Sequence, residues 1–146
     1  MARHAEMKAS VLQGRKVHGG IVEGEALVTT EAIGGYGAFD LDTGEVIEAN
    51  HPLRGASVAG KVLVFSSAKG SSSWSVWHQA LAINGVAPKA YVVRASNSQV
   101  ALGAVVLRIP TVTDLDRDPT EALESGDRVR VNGDEGTVEI LQRKPR

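Results

Sequence analysis

Apolar and polar side chains alternate most cleanly near the end of the chain. There Asp127-Arg128-Val129-Arg130-Val131 and Glu135-Gly136-Thr137-Val138-Glu139-Ile140-Leu141 flank Asn132-Gly133-Asp134. A period of two sends one face to a core and the other to water, and Asn-Gly supplies the positive backbone angles of a tight turn. The two stretches are therefore predicted to form a hairpin with its charges on one solvated face. Lys61-Val62-Leu63-Val64-Phe65, Lys89-Ala90-Tyr91-Val92-Val93-Arg94 and Pro110-Thr111-Val112 are short, β-rich apolar runs that read as buried strands. Between them, Ser73 to Asn84 is predicted as a helix stopped by Gly85 and Pro88, and Ser98 to Val106 as a second helix behind a Ser/Asn cap. Strand, helix, strand, helix, strand in that order predicts a small parallel core with right-handed crossovers.

Earlier in the chain, Arg15 to Gly19 and Ile21 to Thr30 add two strands, the second interrupted by Gly24, where a bend or bulge is expected. Ile33 to Asp40 places Gly34, Gly35 and Gly37 around Tyr36 and Phe39. Its Gly-x-Gly lacks the following helix and third glycine of a dinucleotide fingerprint. The stretch reads as a mobile loop that either connects elements or closes over a site. Asp42-Thr43-Gly44 and Asn50-His51-Pro52-Leu53 are turns, and Asp114 to Glu124, broken by Pro119, is a surface loop or a single helical turn. The expected layout is a flexible N-terminal arm over 1–12, one α/β domain over 13–142 and a solvated basic tail over 143–146.

A length of 146 residues, 42% of them hydrophobic, suits one domain with its own core. With 16 basic and 17 acidic side chains the net charge is −1, so no overall field recruits nucleic acid or an anionic membrane. No apolar run reaches membrane-spanning length and the first residues lack a signal-type apolar region, which makes the cytoplasm the expected compartment. The absence of cysteine excludes disulfides and thiolate-bound zinc or iron–sulfur in this chain. His18 stands alone in its strand, and no convincing His/Asp/Glu ligand set is visible, so no metal site is expected here.

The candidate chemistry lies in Ala68-Lys69-Gly70-Ser71-Ser72-Ser73-Trp74-Ser75-Val76-Trp77, a strand running into a glycine turn and then a helix. Gly70 permits the bend, and Ser71 falls at or near the helix N-cap, in the positive end of the helix dipole. That geometry suits a plain cap and also an anion. Three successive serines exceed what capping needs, and Trp74 and Trp77, three apart, share a face that is either core or the wall of a small-molecule pocket. Lys69 reads either as a solvated strand end or as a charge beside the serines.

The order of elements and several sequence words resemble the small subunit of the aconitase X family. The words are Glu23-Gly24-Glu25-Ala26-Leu27-Val28, Asp42-Thr43-Gly44, Asn50-His51-Pro52-Leu53, Gly60-Lys61-Val62-Leu63-Val64-Phe65, Lys69-Gly70-Ser71 and Asn84-Gly85-Val86-Ala87-Pro88-Lys89-Ala90, covering about Gly14 to Val112. The resemblance implies a swivelling β/β/α domain like the fourth domain of aconitases, in a hydro-lyase completed by a large catalytic subunit as a heterodimer or higher assembly. It implies that Ser71 abstracts the substrate proton, supported by Lys69, Gly70, Ser72 and Ser73. No cofactor is then expected in this chain, and an iron or iron–sulfur centre is expected in the large subunit. Aconitases proper carry an arginine two residues after the serine, where Ser73 stands here, so a tricarboxylic acid is not the expected substrate. Two activities of the family are dehydration of cis-3-hydroxy-L-proline and of phosphomevalonate. The former is favoured here, because the tryptophans depart from the smaller aromatic of archaeal members and dense lysine and glutamate are lacking. The remaining alternatives are a non-catalytic module and a phosphohistidine-type swivelling domain, against which His78 stands well inside the helix rather than at its start.

Overall fold

The apolar runs that predict buried strands become the middle of a mixed sheet in the computed structural model, which describes residues 10–145. The strands are β1 (Val11–Gln13), β2 (Arg15–His18), β3 (Ile21–Val28), β4 (Val62–Phe65), β5 (Ala90–Val93), β6 (Thr111–Thr113), β7 (Arg128–Asn132) and β8 (Thr137–Gln142). The helices are α1 (Trp74–Ile83), α2 (Ser98–Leu107) and the single turn α3 (Pro119–Ala122). Strand order is β1-β8-β7-β3-β4-β5-β6-β2. β3, β4, β5 and β6 are mutually parallel, while β7 and β8 form the expected antiparallel hairpin.

Two features turn this sheet into a nearly closed ring. β3 pairs with β7 through Ile21 to Glu25 and with β4 through Ala26 to Val28, so one strand serves both halves. β1 and β2 are consecutive pieces of one segment, the first paired with β8 and the second with β6, so the same stretch joins the two ends of the strand order. The junction is Gly14, where a Cβ would lie 2.5 Å from the carbonyl oxygen of Thr113. Only glycine lets the backbones approach that closely.

The period-two pattern of the middle strands then separates two cores. In β4, Val62 and Val64 face the ring interior with Ala26, Ala90, Val92, Val129, Val131 and Val138. Leu63 and Phe65 face the opposite way, under α1 and α2, with Trp74, Leu81, Tyr91 and Val100. Being buried on both faces is why this strand reads as an unbroken apolar run.

Several expectations need correction. Leu12, expected at the end of a loose arm, is fully buried in β1, while residues 1–9 of that arm lie outside the described residues. Gly24 makes no bulge. Its pairing with Val129 is in register, and its missing side chain makes room for Lys89, whose Cδ would stand 2.9 Å from a Cβ there. In the basic tail, Arg143 and the Lys144 backbone N–H both bond the carboxylate of Asp127, which is wholly buried, so these two residues are tied down; Arg146 lies outside the described residues. The Ile33–Asp40 stretch is tethered rather than loose: Ile33 bridges to Ala68 and Phe39 to Val46, with Ile33, Gly34, Gly35, Ala38 and Phe39 buried. Among the described residues no helix is long and apolar enough to cross a membrane.

Candidate active site

After Phe65 the chain leaves β4, bridges Ala68 to Ile33 and reaches Gly70, whose φ of +102° glycine adopts without strain. A Cβ at Gly70 would meet nothing within 4 Å, so conformation and not space calls for glycine there. The start of α2 holds this turn from the side. Asn97 caps α2 through the Val100 N–H at 3.2 Å and donates its amide to the Ala68 carbonyl at 3.0 Å, while Gln99 donates to the Gly70 carbonyl at 3.3 Å.

Ser71 comes next, exposed, and it is not the N-cap. That position belongs to Ser73, because a turn in which the Ser71 carbonyl accepts the Trp74 N–H at 3.2 Å precedes the helix. Ser71 Oγ accepts the Ser73 N–H at 3.3 Å and lies 2.6 Å from Ser73 Oγ. The Ser73 hydroxyl makes no cap bond of its own. Helix α1 ends as its sequence predicts, with Gly85 at φ +75° and the N–H groups of Gly85 and Val86 returning to the carbonyls of Ala82 and Leu81, a Schellman closure.

Ser71, Lys69 and Gly70 line one side of a cleft of about 380 Å³, and Gly34, Gly35, Tyr36, Glu48 and Trp74 complete it. Lys69 Nζ donates to Glu48 Oε2 at 2.6 Å. Of the residues expected to support Ser71, Lys69 and Gly70 are therefore on the cleft wall. Ser72 is exposed on the turn outside that lining, and Ser73 reaches it only through Ser71. Glu48 is an addition that sequence reasoning missed, since nothing local marks it, while Tyr36 belongs to the glycine-rich stretch whose expected roles include closing over a site.

The two tryptophans part ways. Trp74 is buried, stacked on His78 at 3.6 Å and closed over by Gly103 of α2, and it contributes to the cleft lining. Trp77 is partly buried, with Tyr36 edge-on at 5.1 Å. Beneath the cleft, Trp74 Nε1 donates to the Ile33 carbonyl at 3.0 Å, and His78 Nε2 lies 3.0 Å from the Gly34 carbonyl. A carbonyl only accepts, so Nε2 carries the proton and Nδ1 accepts from the Tyr91 hydroxyl at 2.7 Å. Burial lowers the His78 pKa to about 4, opposed by its bond to Gly34, and burial raises that of Tyr91 well above its ordinary value. His78 is thus neutral at pH 7, with both nitrogens bonded and no exposed surface. A phosphohistidine needs a free ring nitrogen, so the carrier alternative has no support here.

His18 bonds the Gly19 carbonyl and His51 is held between the Ala32 carbonyl and the Leu53 N–H. Among the described residues no three His, Asp or Glu side chains converge on a metal position, and the chain has no cysteine. The donor set of an iron or iron–sulfur centre does not fit these residues. What the cleft offers is a serine oxygen on a turn, a lysine and a carboxylate.

Residues 11–140 match the family described as the aconitase X swivel domain. The small subunit of phosphomevalonate dehydratase from Thermococcus gammatolerans is 45% identical, over 89% of this chain and 97% of its own length. The protein of the same name from Methanosarcina acetivorans is 42% identical, over 91% and 92%. The crystal structure of Thermococcus kodakaraensis aconitase X in its holo-form superposes with a TM-score of 0.85 at 42% identity, covering 90% of this chain and 98% of that one. The ring-like sheet with two helices over one face is accordingly the aconitase X swivel fold, and the chain belongs to the aconitase X family of hydro-lyases as a swivel-domain small subunit.

Proposed function

We propose that the chain is the small subunit of a phosphomevalonate dehydratase, working in the cytoplasm with a large subunit, and that Ser71 is the base that removes the substrate proton. The observation that carries this reading is the exposed Ser71 on a fixed turn in a cleft that also holds Lys69. Dehydration needs a base beside a carbon next to a carboxylate, and serine performs that task only where its surroundings favour the deprotonated oxygen. The C–H bond breaks, its electron pair forms the double bond, and the hydroxyl leaves the neighbouring carbon. The proton taken by Ser71 departs with that hydroxide as water, which restores the site. Lys69 offers a positive group to an anionic substrate, and a Lewis acid for the leaving hydroxide belongs to the partner.

The sequence-based preference for cis-3-hydroxy-L-proline leaned on the tryptophans as a remodelled pocket wall. With Trp74 in the core and Trp77 against Tyr36, that support weakens. The likeness to phosphomevalonate dehydratase small subunits along nearly their whole length favours the other substrate.

The test is turnover by the two co-purified subunits on phosphomevalonate and on cis-3-hydroxy-L-proline. Phosphomevalonate should be dehydrated, and Ser71→Ala should lower kcat by roughly 10²- to 10⁴-fold, the usual contribution of a positioned base, with the complex still assembled. Turnover of hydroxyproline alone would overturn the substrate. An alanine variant as fast as the parent would overturn the serine base and leave a structural subunit.

A further inference from the structure

The hydroxyl of Ser73 occupies an N-cap position without capping. A serine there ordinarily bonds the N–H two or three residues on, which is why the residue type is favoured at that position. Here the hydroxyl is turned to Ser71 Oγ at 2.6 Å. With Ser71 taken as the base, we infer that Ser73 is a positioning residue for the reaction, holding the deprotonated oxygen of Ser71.

A neutral Ser71 either donates to Ser73 or accepts from it. Once Ser71 has lost its proton it only accepts, and the Ser73 hydroxyl must then be the donor. A separation of 2.6 Å is short for two neutral hydroxyls and needs no adjustment to become a hydrogen bond to a charged oxygen, roughly twice as strong as one between neutral groups. The Ser73 N–H, 3.3 Å from the same oxygen, adds a second donor from the same residue. Two donors from one residue, aimed at one oxygen on a turn held by Asn97 and Gln99, favour the charged form over the neutral one. The side chain is thereby withdrawn from helix capping and spent on the neighbouring oxygen.

This assigns Ser73→Ala a signature that a structural serine would not give. In the two-subunit complex acting on phosphomevalonate, kcat should fall roughly tenfold to a hundredfold, the cost of one hydrogen bond to a charged oxygen. KM should be unmoved, and the rise of kcat with pH should shift to higher pH. The melting temperature should stay where it is, because no cap bond is lost. Ser73→Thr, which keeps the hydroxyl, should recover most of the loss. A Ser73→Ala enzyme with the parent's kcat, or one whose melting temperature drops by several degrees and is not restored by threonine, would overturn the inference. Ser71→Ala measured in parallel separates the two levels: if it is inactive while Ser73→Ala is fully active, only the role of Ser73 fails; if Ser71→Ala is active, the serine base fails and the role of Ser73 with it.

Discussion

Lys69 and Glu48 meet at 2.6 Å in the cleft, with 48% and 27% of their side chains exposed. A pair so open to water is worth at most about 1 kcal/mol, so its interest lies in binding rather than in the fold. Lys69→Met should therefore leave the melting temperature almost unchanged and raise KM for an anionic substrate roughly tenfold, as expected for one lost charged contact. An unchanged KM would remove Lys69 from substrate binding. Lys69, Gly70 and Ser71 were legible as neighbours in a single turn. Glu48 was not, because an ion pair across 21 residues is set by how Ile33 and Ala68 bridge and not by any local pattern. The sequence places Ser71 at or near the N-cap, and it stands two residues before the cap residue Ser73, since a run of three serines does not say which one the preceding turn will leave outside the helix.

Among the elements, α1 and α2 constrain each other where Trp74 of α1 meets Gly103 of α2. A Cβ on Gly103 would fall 2.6 Å from Trp74 Cζ3. Gly103→Ala should gain up to about 1 kcal/mol of helix propensity and lose more through overpacking, about 1 to 3 kcal/mol. The expected result is a lower melting temperature by thermal denaturation; a higher one would mean that Trp74 can move aside. Helix ends were readable because capping is local: Gly85 and Pro88 after α1, and Asn97 before α2, act within a few residues. Gly24 was misread for the opposite reason. A glycine in a strand signals either a bulge or the close approach of another group, and the approaching group is Lys89, 65 residues later in sequence.

Across the molecule, the buried chain from Tyr91 through His78 to Gly34 ties the central sheet to α1 and α1 to the cleft wall. Its consequence is a pH dependence. The His78 pKa is about 4 in the fold against 6.5 unfolded, so between those values the unfolded chain binds the extra proton. This contribution to stability is complete above about pH 6.5 and is lost as pH falls to about 4, a total of roughly 3 kcal/mol. Melting curves across that range should fall more steeply for the parent than for His78→Gln; parallel curves would mean that His78 does not link folding to pH. Read as a string, the chain already specifies its strands other than β1, its two main helices, the stop of α1, the cap of α2 and the Gly70-Ser71 turn, because alternation, helical spacing and capping are properties of a few neighbouring residues. The closing of the sheet at Gly14, the tethering of the Ile33–Asp40 stretch and the meeting of Glu48 with Lys69 belong to the folded molecule alone. Each joins residues far apart in sequence, and their contact energies exist only after the intervening chain has paid its conformational entropy.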